Sequence, residues 1–185
     1  MKSLARANPT NALLQGRGQP GTHDVQLGTQ ILQALCELNK SPNQTVMFPI
    51  YDKSAFDGQG DRSAQQVAVK GPVDIVLFEG WCLGYLPLSK DELQEKLSLA
   101  TDDPRPAYCS YTVDELYAVS QQLKIWEREW FHMIDAMIQC TPDLTGDESL
   151  PSLVYTWRLE AEHNMKLVRG GQGMSDEQVK SFVQR

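Results

Sequence analysis

The chain has 185 residues, of which 41% are hydrophobic, and a formal net charge of −7 at pH 7. This length and apolar content predict one globular domain over residues 1–185 and exclude a disordered chain. The acidic charge disfavours nucleic acid and anionic membranes, and no stretch reaches the ~18 apolar residues of a membrane span, so we expect a cytoplasmic protein with neither partner.

The first fifteen residues, 1–15, are polar and predict a flexible or irregular segment. Residues 16–21 form a glycine-rich loop, after which apolar residues recur at helical spacing. Thr22 or Asp24 can accept hydrogen bonds from the free amides of a first turn, so a helix is predicted to begin there. His23 beside Asp24 is either half of an acid/base pair or an incidental neighbour of the helix start.

The glycine-rich loop matches two phosphate-binding patterns only in part. Gly16, Gly18 and Gly21 fit GxGxxG, but no strand is predicted before them and no suitable acid follows about twenty residues later. His23 stands where a P-loop would need its lysine. Neither a Rossmann site nor a Walker A site is therefore predicted anywhere in the sequence.

A short strand is predicted over residues 45–48, and a polar loop without helical or strand period over residues 50–68. The section 51–62 of this loop combines two cations with three carboxylates and two glycines. Such a section is either a solvated surface loop or a functional one. Its position between two strands favours function.

An apolar run at residues 73–78 predicts a central parallel strand that is buried on both faces, because Gly71-Pro72 opens it and Gly80 closes it. Glu79 follows the run directly. Ligands of open α/β sheets bind beyond the carboxyl ends of such strands. Glu79 is therefore predicted to take part in chemistry rather than in packing.

Later helices are indicated by capping boxes, in which a hydroxyl residue precedes Glu or Gln by three positions; they predict helix starts at Ser89, Thr112 and Ser175. The second of these helices carries an aromatic stripe, which predicts that this face lies in the hydrophobic core. Residues 133–140 either finish this helix or form a short strand. Residues 142–151 predict a loop.

Another helix is predicted over residues 152–168, ended by two glycines. On it, Arg158 and Glu160 are more typical of a surface pair, unless the helix lies beside a nucleotide.

The four cysteines form no CxxC pair, so we expect free thiols rather than a zinc knuckle. His132 and His163 lack the spacing of metal ligands, so we expect no metal site at these residues.

Several ordered motifs together resemble the D-glycerate 3-kinase family of plants and fungi. The resemblance is carried by residues 17–24, 51–54, 60–62, 78–81 and 83–85, and it continues through 154–162 and 173–177. It therefore covers nearly the whole chain.

The resemblance implies an α/β three-layer P-loop kinase fold, with a parallel sheet between helices, like that of uridine kinase, phosphoribulokinase and pantothenate kinase. It implies transfer of the γ-phosphoryl group of ATP to a hydroxyl of D-glycerate or a similar small hydroxy acid. ATP and Mg²⁺ are the implied cofactors, and ATP and the hydroxy acid are the implied small-molecule partners.

The resemblance also implies roles for individual residues. Catalytic roles fall on Glu79, Asp24 and Arg62, with Glu79 acting on Mg²⁺ or its waters. Arg158 would contact the nucleotide. The implied substrate-binding residues are Arg17, His23, Tyr51, Lys53 and Asp61.

The sequence departs from the family pattern at its ends. The family carries its Walker A loop, and an aspartate segment with the implied base, at positions upstream of Met1, and a closing segment beyond Arg185. We therefore expect a kinase fold that is incomplete at the N-terminus, marginally stable and inactive alone. The alternative is a catalytically dead binding or interaction module that retains the kinase scaffold.

Overall fold

The computed structural model describes residues 6–40, 43–56, 60–100, 106–142 and 150–184. Within these ranges the chain is an α/β protein with several helices and one small antiparallel sheet. The helices and strands are, in chain order, α1 (Val25–Glu37), β1 (Thr45–Asp52), β2 (Asp61–Lys70), α2 (Lys90–Leu99), α3 (Val113–Trp130), α4 (Leu150–Val168) and α5 (Asp176–Val183). Short 3-10 helices cover Ala12–Leu14, Leu38–Lys40, Ala107–Ser110 and Phe131–Met133.

The chain divides into two compact units, Met1–Pro49 with Gln65–Met137 and Ile50–Ala64 with Ile138–Arg185. The first unit contains α1, α2 and α3, and the second contains α4 and α5. Each strand of the sheet contributes residues to both units. The single domain predicted over residues 1–185 stays a prediction.

The predicted helix starts are confirmed by their caps. Asp24 caps α1, because its Oδ1 accepts a hydrogen bond of 3.1 Å from the amide of Leu27. The capping boxes at Ser89, Thr112 and Ser175 are complete, with both reciprocal hydrogen bonds present. These short-range contacts satisfy amides that a helix leaves without partners, so they can be predicted from spacing alone.

The first unit is built around the aromatic stripe of α3. Trp126 and Trp130 are buried with Leu123 and Cys82, as the stripe predicts. The indole nitrogen of Trp130 donates to the hydroxyl of Thr29 on α1 over 3.0 Å. Partly buried apolar residues complete the cluster: Val25, Leu32, Phe78, Leu83, Phe131 and Met133.

A second cluster packs the other end of α1 against the two strands. Leu35 and Leu38 are buried with Val46 of β1. Phe48 and Val69 pack against them from the paired strands. Residues 45–48 therefore do form a strand, as predicted.

The interpretation of residues 50–68 as a loop is wrong. β1 continues through Pro49 to Asp52, and β2 begins at Asp61, so most of this segment belongs to a hairpin. β2 was not predicted because most of its residues are exposed, and an exposed strand does not need the alternation of apolar and polar residues that marks a half-buried one. A proline is tolerated in β1 because the strand lies at an edge of a two-stranded sheet.

The prediction of a buried strand at residues 73–78 is also wrong. The segment is assigned to no strand, and Ile75 and Leu77 are 84% and 86% exposed. The segment is anchored at its two ends. Paired 2.8 Å hydrogen bonds join the backbone of Val73 to the side chain of Asn39, and Phe78 packs against Trp130. A central strand forms only where neighbouring strands pair with its edges. The two described strands pair with each other and not with this segment.

Residues 133–140 neither extend α3 nor form a strand. The helix ends at Trp130, one 3-10 turn follows, and the chain then has no regular structure up to residue 142. Most of the predicted loop at 142–151, and residues 57–59 of the hairpin turn, lie outside the described residues.

Candidate functional site

The first candidate element is the glycine turn, residues 16–24, which leads into α1. Gly16, Gly18 and Gly21 all have positive φ angles, so side chains there would be strained. The hydroxyl of Thr22 accepts from the amide of Gly18 over 3.1 Å and donates to the carbonyl of Gln19 over 2.7 Å. These internal bonds, with the carboxylate of Asp24 at the helix start, make the turn unlike a phosphate cradle.

The second element is the Glu79 turn, residues 79–84. It is anchored on both sides of Glu79, because Phe78 packs edge-on against Trp130 at 5.3 Å and Cys82 is buried in the same cluster. Burial raises the pKa of the Cys82 thiol to about 12. The Glu79 side chain itself is exposed. The turn therefore holds a fixed backbone beneath a carboxylate that faces solvent.

Trp81 connects these two elements. Its indole nitrogen donates a hydrogen bond of 3.1 Å to the carbonyl of Gly18, although the residue is 64% exposed. The segment with Arg17, His23 and Asp24 is thereby joined to the turn with Glu79. This contact supports the prediction that the two motifs belong to one site.

Each of the polar residues in the glycine turn has a defined environment. The ring of His23 packs edge-on against Trp126, with centroids 5.0 Å apart. Burial lowers the pKa of His23, partly offset by a hydrogen bond with the backbone of Gln19, so the ring is neutral at pH 7. The Nη2 atom of Arg17 is buried. His23 therefore packs against the core cluster, and its acid/base role stays a prediction.

The second unit contains the candidate residues of the hairpin. Tyr51 lies against Gly60, where a Cβ atom would come within 2.6 Å of the Tyr51 ring and hydroxyl. The carboxylate of Asp61 accepts from the amide of Arg62 over 2.8 Å. Lys53 is exposed in the turn after β1. Gly60, with a φ of +75°, therefore admits no other residue without strain.

Two residues near the hairpin were missed by sequence reasoning. Asp52 accepts hydrogen bonds from the hydroxyl and amide of Ser54 over 2.6 and 3.0 Å, which hold its pKa below the ordinary value. Arg169 approaches Asp52 to 3.8 Å. The Asp-x-Ser spacing is a turn signal that could have identified Asp52, whereas nothing local marks Arg169.

Arg158 pairs with a residue other than the one predicted. Its guanidinium donates to Glu162 over 3.0 Å and lies 5.0 Å from the Phe182 ring centre. Glu162 is fully buried and also accepts from the amide of Met174 over 2.8 Å. The interpretation of Arg158 and Glu160 as a surface pair is therefore wrong, because the i,i+4 partner is the buried one.

Two further properties of the described residues concern metal ligands and membrane-spanning helices. Among the described residues, no group of three or more His, Cys, Asp or Glu side chains could hold a metal ion. The helices within the described ranges include none that is long and apolar enough to cross a membrane.

Comparison with known proteins returns kinases, although no family model matches. Over 184 residues the chain is 39% identical to a chloroplastic D-glycerate 3-kinase of Arabidopsis thaliana, covering 98% of this chain and 35% of the relative. It is 38% identical over 176 residues to the probable ATP-dependent kinase TDA10 of Saccharomyces cerevisiae, covering 95% and 54%.

Solved structures give the same result. The chain matches a D-glycerate 3-kinase from Cryptococcus neoformans with a TM-score of 0.83 and 44% identity, covering 98% of this chain and 60% of that one. It matches the YGR205w protein with a TM-score of 0.63 and 31% identity, covering 98% and 57%.

These matches define the class of the protein as an α/β chain of kinase lineage. Its relatives and structural neighbours are D-glycerate 3-kinase and related ATP-dependent kinases, so the predicted resemblance is confirmed. The chain spans between about a third and three fifths of the length of these relatives.

Proposed function

We propose that this chain carries the acceptor-binding region of a three-layer P-loop kinase. The reaction would move the γ-phosphoryl group of ATP to a hydroxyl of D-glycerate or a similar small hydroxy acid. The similarity to D-glycerate 3-kinases from a plant and a fungus supports this substrate class.

The hydrogen bond from Trp81 to Gly18 is the observation that carries the proposal. It joins the glycine turn to the Glu79 turn within one compact unit. Phosphoryl transfer depends on placing the acceptor hydroxyl in line and on charges that offset those of the phosphoryl oxygens. A fixed pair of turns that carries Arg17, Asp24 and Glu79 can provide both.

Distinct tasks follow for these residues. Asp24 orients the acceptor hydroxyl or receives its proton, and Arg17 binds the acceptor carboxylate. His23, neutral at pH 7, can donate or accept one hydrogen bond to the acceptor. The task of His23 requires a neutral imidazole, which is the state that its lowered pKa favours.

The resemblance also proposes roles for residues of the second unit, taken by itself. Arg62 is the proposed catalytic cation, and Tyr51, Lys53 and Asp61 are the proposed acceptor-binding residues. For Arg158, the contact with the nucleotide is proposed from the resemblance alone, because its Nε atom is buried and its guanidinium donates to Glu162. Arginine suits a contact with an anionic group because its planar guanidinium can donate two parallel hydrogen bonds to that group.

Glu79 fits the implied Mg²⁺. Magnesium in kinases keeps several waters and is bound mainly by substrate phosphates with one or two carboxylates. A single exposed carboxylate at the end of an anchored segment matches that requirement. When bound, the ion would offset the charge of the phosphate oxygens, and Glu79 would orient its waters.

We further propose that the 185-residue chain does not transfer phosphate by itself. Its sequence contains no GxxxxGK[ST] motif, and the amides of the glycine turn make internal hydrogen bonds. The same observation favours a second candidate function, a binding module that recognises the hydroxy acid without catalysis.

Saturation-transfer NMR with D-glycerate, together with phosphorus NMR in the presence of Mg·ATP, tests both statements. We expect a saturable D-glycerate signal, weaker competition by D-lactate, which lacks the terminal hydroxyl, and no phosphoglycerate. Lys53→Met should weaken D-glycerate binding about tenfold through the loss of one charge-assisted contact, whereas Lys96→Met, also exposed, should not.

The absence of a D-glycerate signal would contradict the acceptor assignment. Formation of phosphoglycerate would instead contradict the proposal that the chain is inactive alone.

A further inference from the structure

Trp81 combines features that simple packing does not explain. The residue is 64% exposed, so its ring contributes little to the core. Its indole nitrogen nevertheless donates to the Gly18 carbonyl over 3.1 Å. A tryptophan retained for burial would have its ring covered, as Trp126 and Trp130 do in the same unit.

The partner carbonyl lies in the glycine turn, which the ring of His23 also anchors, against Trp126. Gly18 has a φ of +117° and is held through its amide by Thr22, four residues later in the same turn. These bonds fix the shape of the turn but not its position on the protein. The bond from Trp81 adds an anchor from a part of the chain that is distant in sequence.

The opposite end of this bond is rigid. Trp81 lies between Phe78 and Cys82, both of which pack in the core cluster around α3. Glu79 is two residues before Trp81, on the same anchored backbone. The position of Trp81 is therefore fixed by the same contacts that fix Glu79.

We propose that Trp81 is a positioning residue that holds the glycine turn, with Arg17, His23 and Asp24, in register with Glu79. The inference rests on the proposed function, because register matters only where these residues share a substrate. The class of ligand whose binding depends on this register is a small hydroxy acid.

Hydrogen exchange and D-glycerate titration of the 185-residue chain test this role together. Trp81→Phe keeps an aromatic ring and removes the donor. Amides of residues 17–23 should then exchange about fivefold faster, as expected for one lost hydrogen bond. D-glycerate affinity should fall several-fold, while the midpoint of thermal unfolding should not change.

Trp157→Phe is the matched control, since Trp157 is also exposed, at 52%, but lies on α4 in the second unit. It should leave both the exchange of the glycine turn and the affinity unchanged. A lower unfolding midpoint with unchanged affinity in Trp81→Phe would indicate a merely structural bond and overturn the proposal.

Two other outcomes separate the failure of this inference from the failure of the proposed function. Unchanged exchange in Trp81→Phe would overturn the positioning role even if wild-type protein binds D-glycerate. If exchange is faster in Trp81→Phe but the wild-type protein does not bind D-glycerate, the proposed function is contradicted. The positioning role, which rests on that function, then fails with it.

Discussion

At the residue scale, Glu162 carries the one buried carboxylate among the described residues. Glu162 has no motif of its own, yet its buried carboxylate accepts hydrogen bonds from Arg158 and from the amide of Met174. A Cβ atom at Gly173 would come within 2.6 Å of the same carboxylate. Glu162 therefore fixes the connection between α4 and α5.

Substitution of Glu162 tests this role. Glu162→Ala should lower the free energy of unfolding by about 3–5 kcal/mol, because it leaves the largely buried guanidinium of Arg158 without its charge partner. Urea denaturation measures the loss. Glu160→Ala, an exposed carboxylate on the same helix, should change it by about 0.5 kcal/mol or less. Equal effects of both substitutions would contradict the assignment.

The residue scale also shows which parts of the candidate site the sequence could predict. Glu79 was singled out because it ends an apolar run, and the glycine turn because its motif resembles the kinase family. Both are local signals, and the roles of these residues stay predictions. Arg169 was not identified, because its contact with Asp52 depends on tertiary packing. Asp52 and the partner of Arg158 were also not identified, although their contacts with Ser54 and Glu162 are local.

At the scale of elements, Ser120 shows how α3 holds the segment that leads into α2. Its buried hydroxyl accepts from the amide of Leu88 over 2.7 Å and donates to the Leu88 carbonyl over 2.6 Å. Lys90, at the start of α2, also pairs with Asp114 on α3 over 2.6 Å. The exposed pair stabilises little, so the hydroxyl carries most of the polar connection.

Ser120→Ala should therefore lower the free energy of unfolding by about 1–2 kcal/mol, the cost of leaving partly buried backbone groups of Leu88 without their hydroxyl partner. Ser98→Ala removes a hydroxyl that is exposed on α2 and should have little effect. Chemical denaturation of both variants makes the comparison. A loss for Ser120→Ala no larger than that for Ser98→Ala would show that water replaces the bridge.

Helices were predicted better than strands for a physical reason. A capping box is complete within four residues, so Ser89, Thr112 and Ser175 could be identified from spacing. A strand needs a partner from elsewhere in the chain. The hairpin was missed because most residues of β2 are exposed and its apolar residues do not alternate along the whole strand. The run at 73–78 was wrongly assigned because no described strand pairs with it.

At the scale of the whole molecule, this exposed apolar run is the main liability. Ile75 and Leu77 are more than four fifths exposed in an extended segment, an arrangement that promotes pairing with other chains. Both core clusters lie in the first compact unit, and this segment contacts them only near its two ends.

Leu77→Lys should therefore reduce concentration-dependent association without lowering the free energy of unfolding. Light scattering over a range of protein concentrations measures the association. Leu167→Lys removes an equally exposed leucine, 83% accessible, from α4 and should have a smaller effect. Association that falls equally in both variants would point to net charge rather than to the exposed segment.

The central claim is that the chain binds the acceptor of a hydroxy-acid kinase, and calorimetric titration with D-glycerate tests it most directly. Single-site binding with a dissociation constant below about 1 mM, weakened by Trp81→Phe and Lys53→Met, is the predicted result. No saturable heat up to about 10 mM, in protein shown to be folded, would contradict the account.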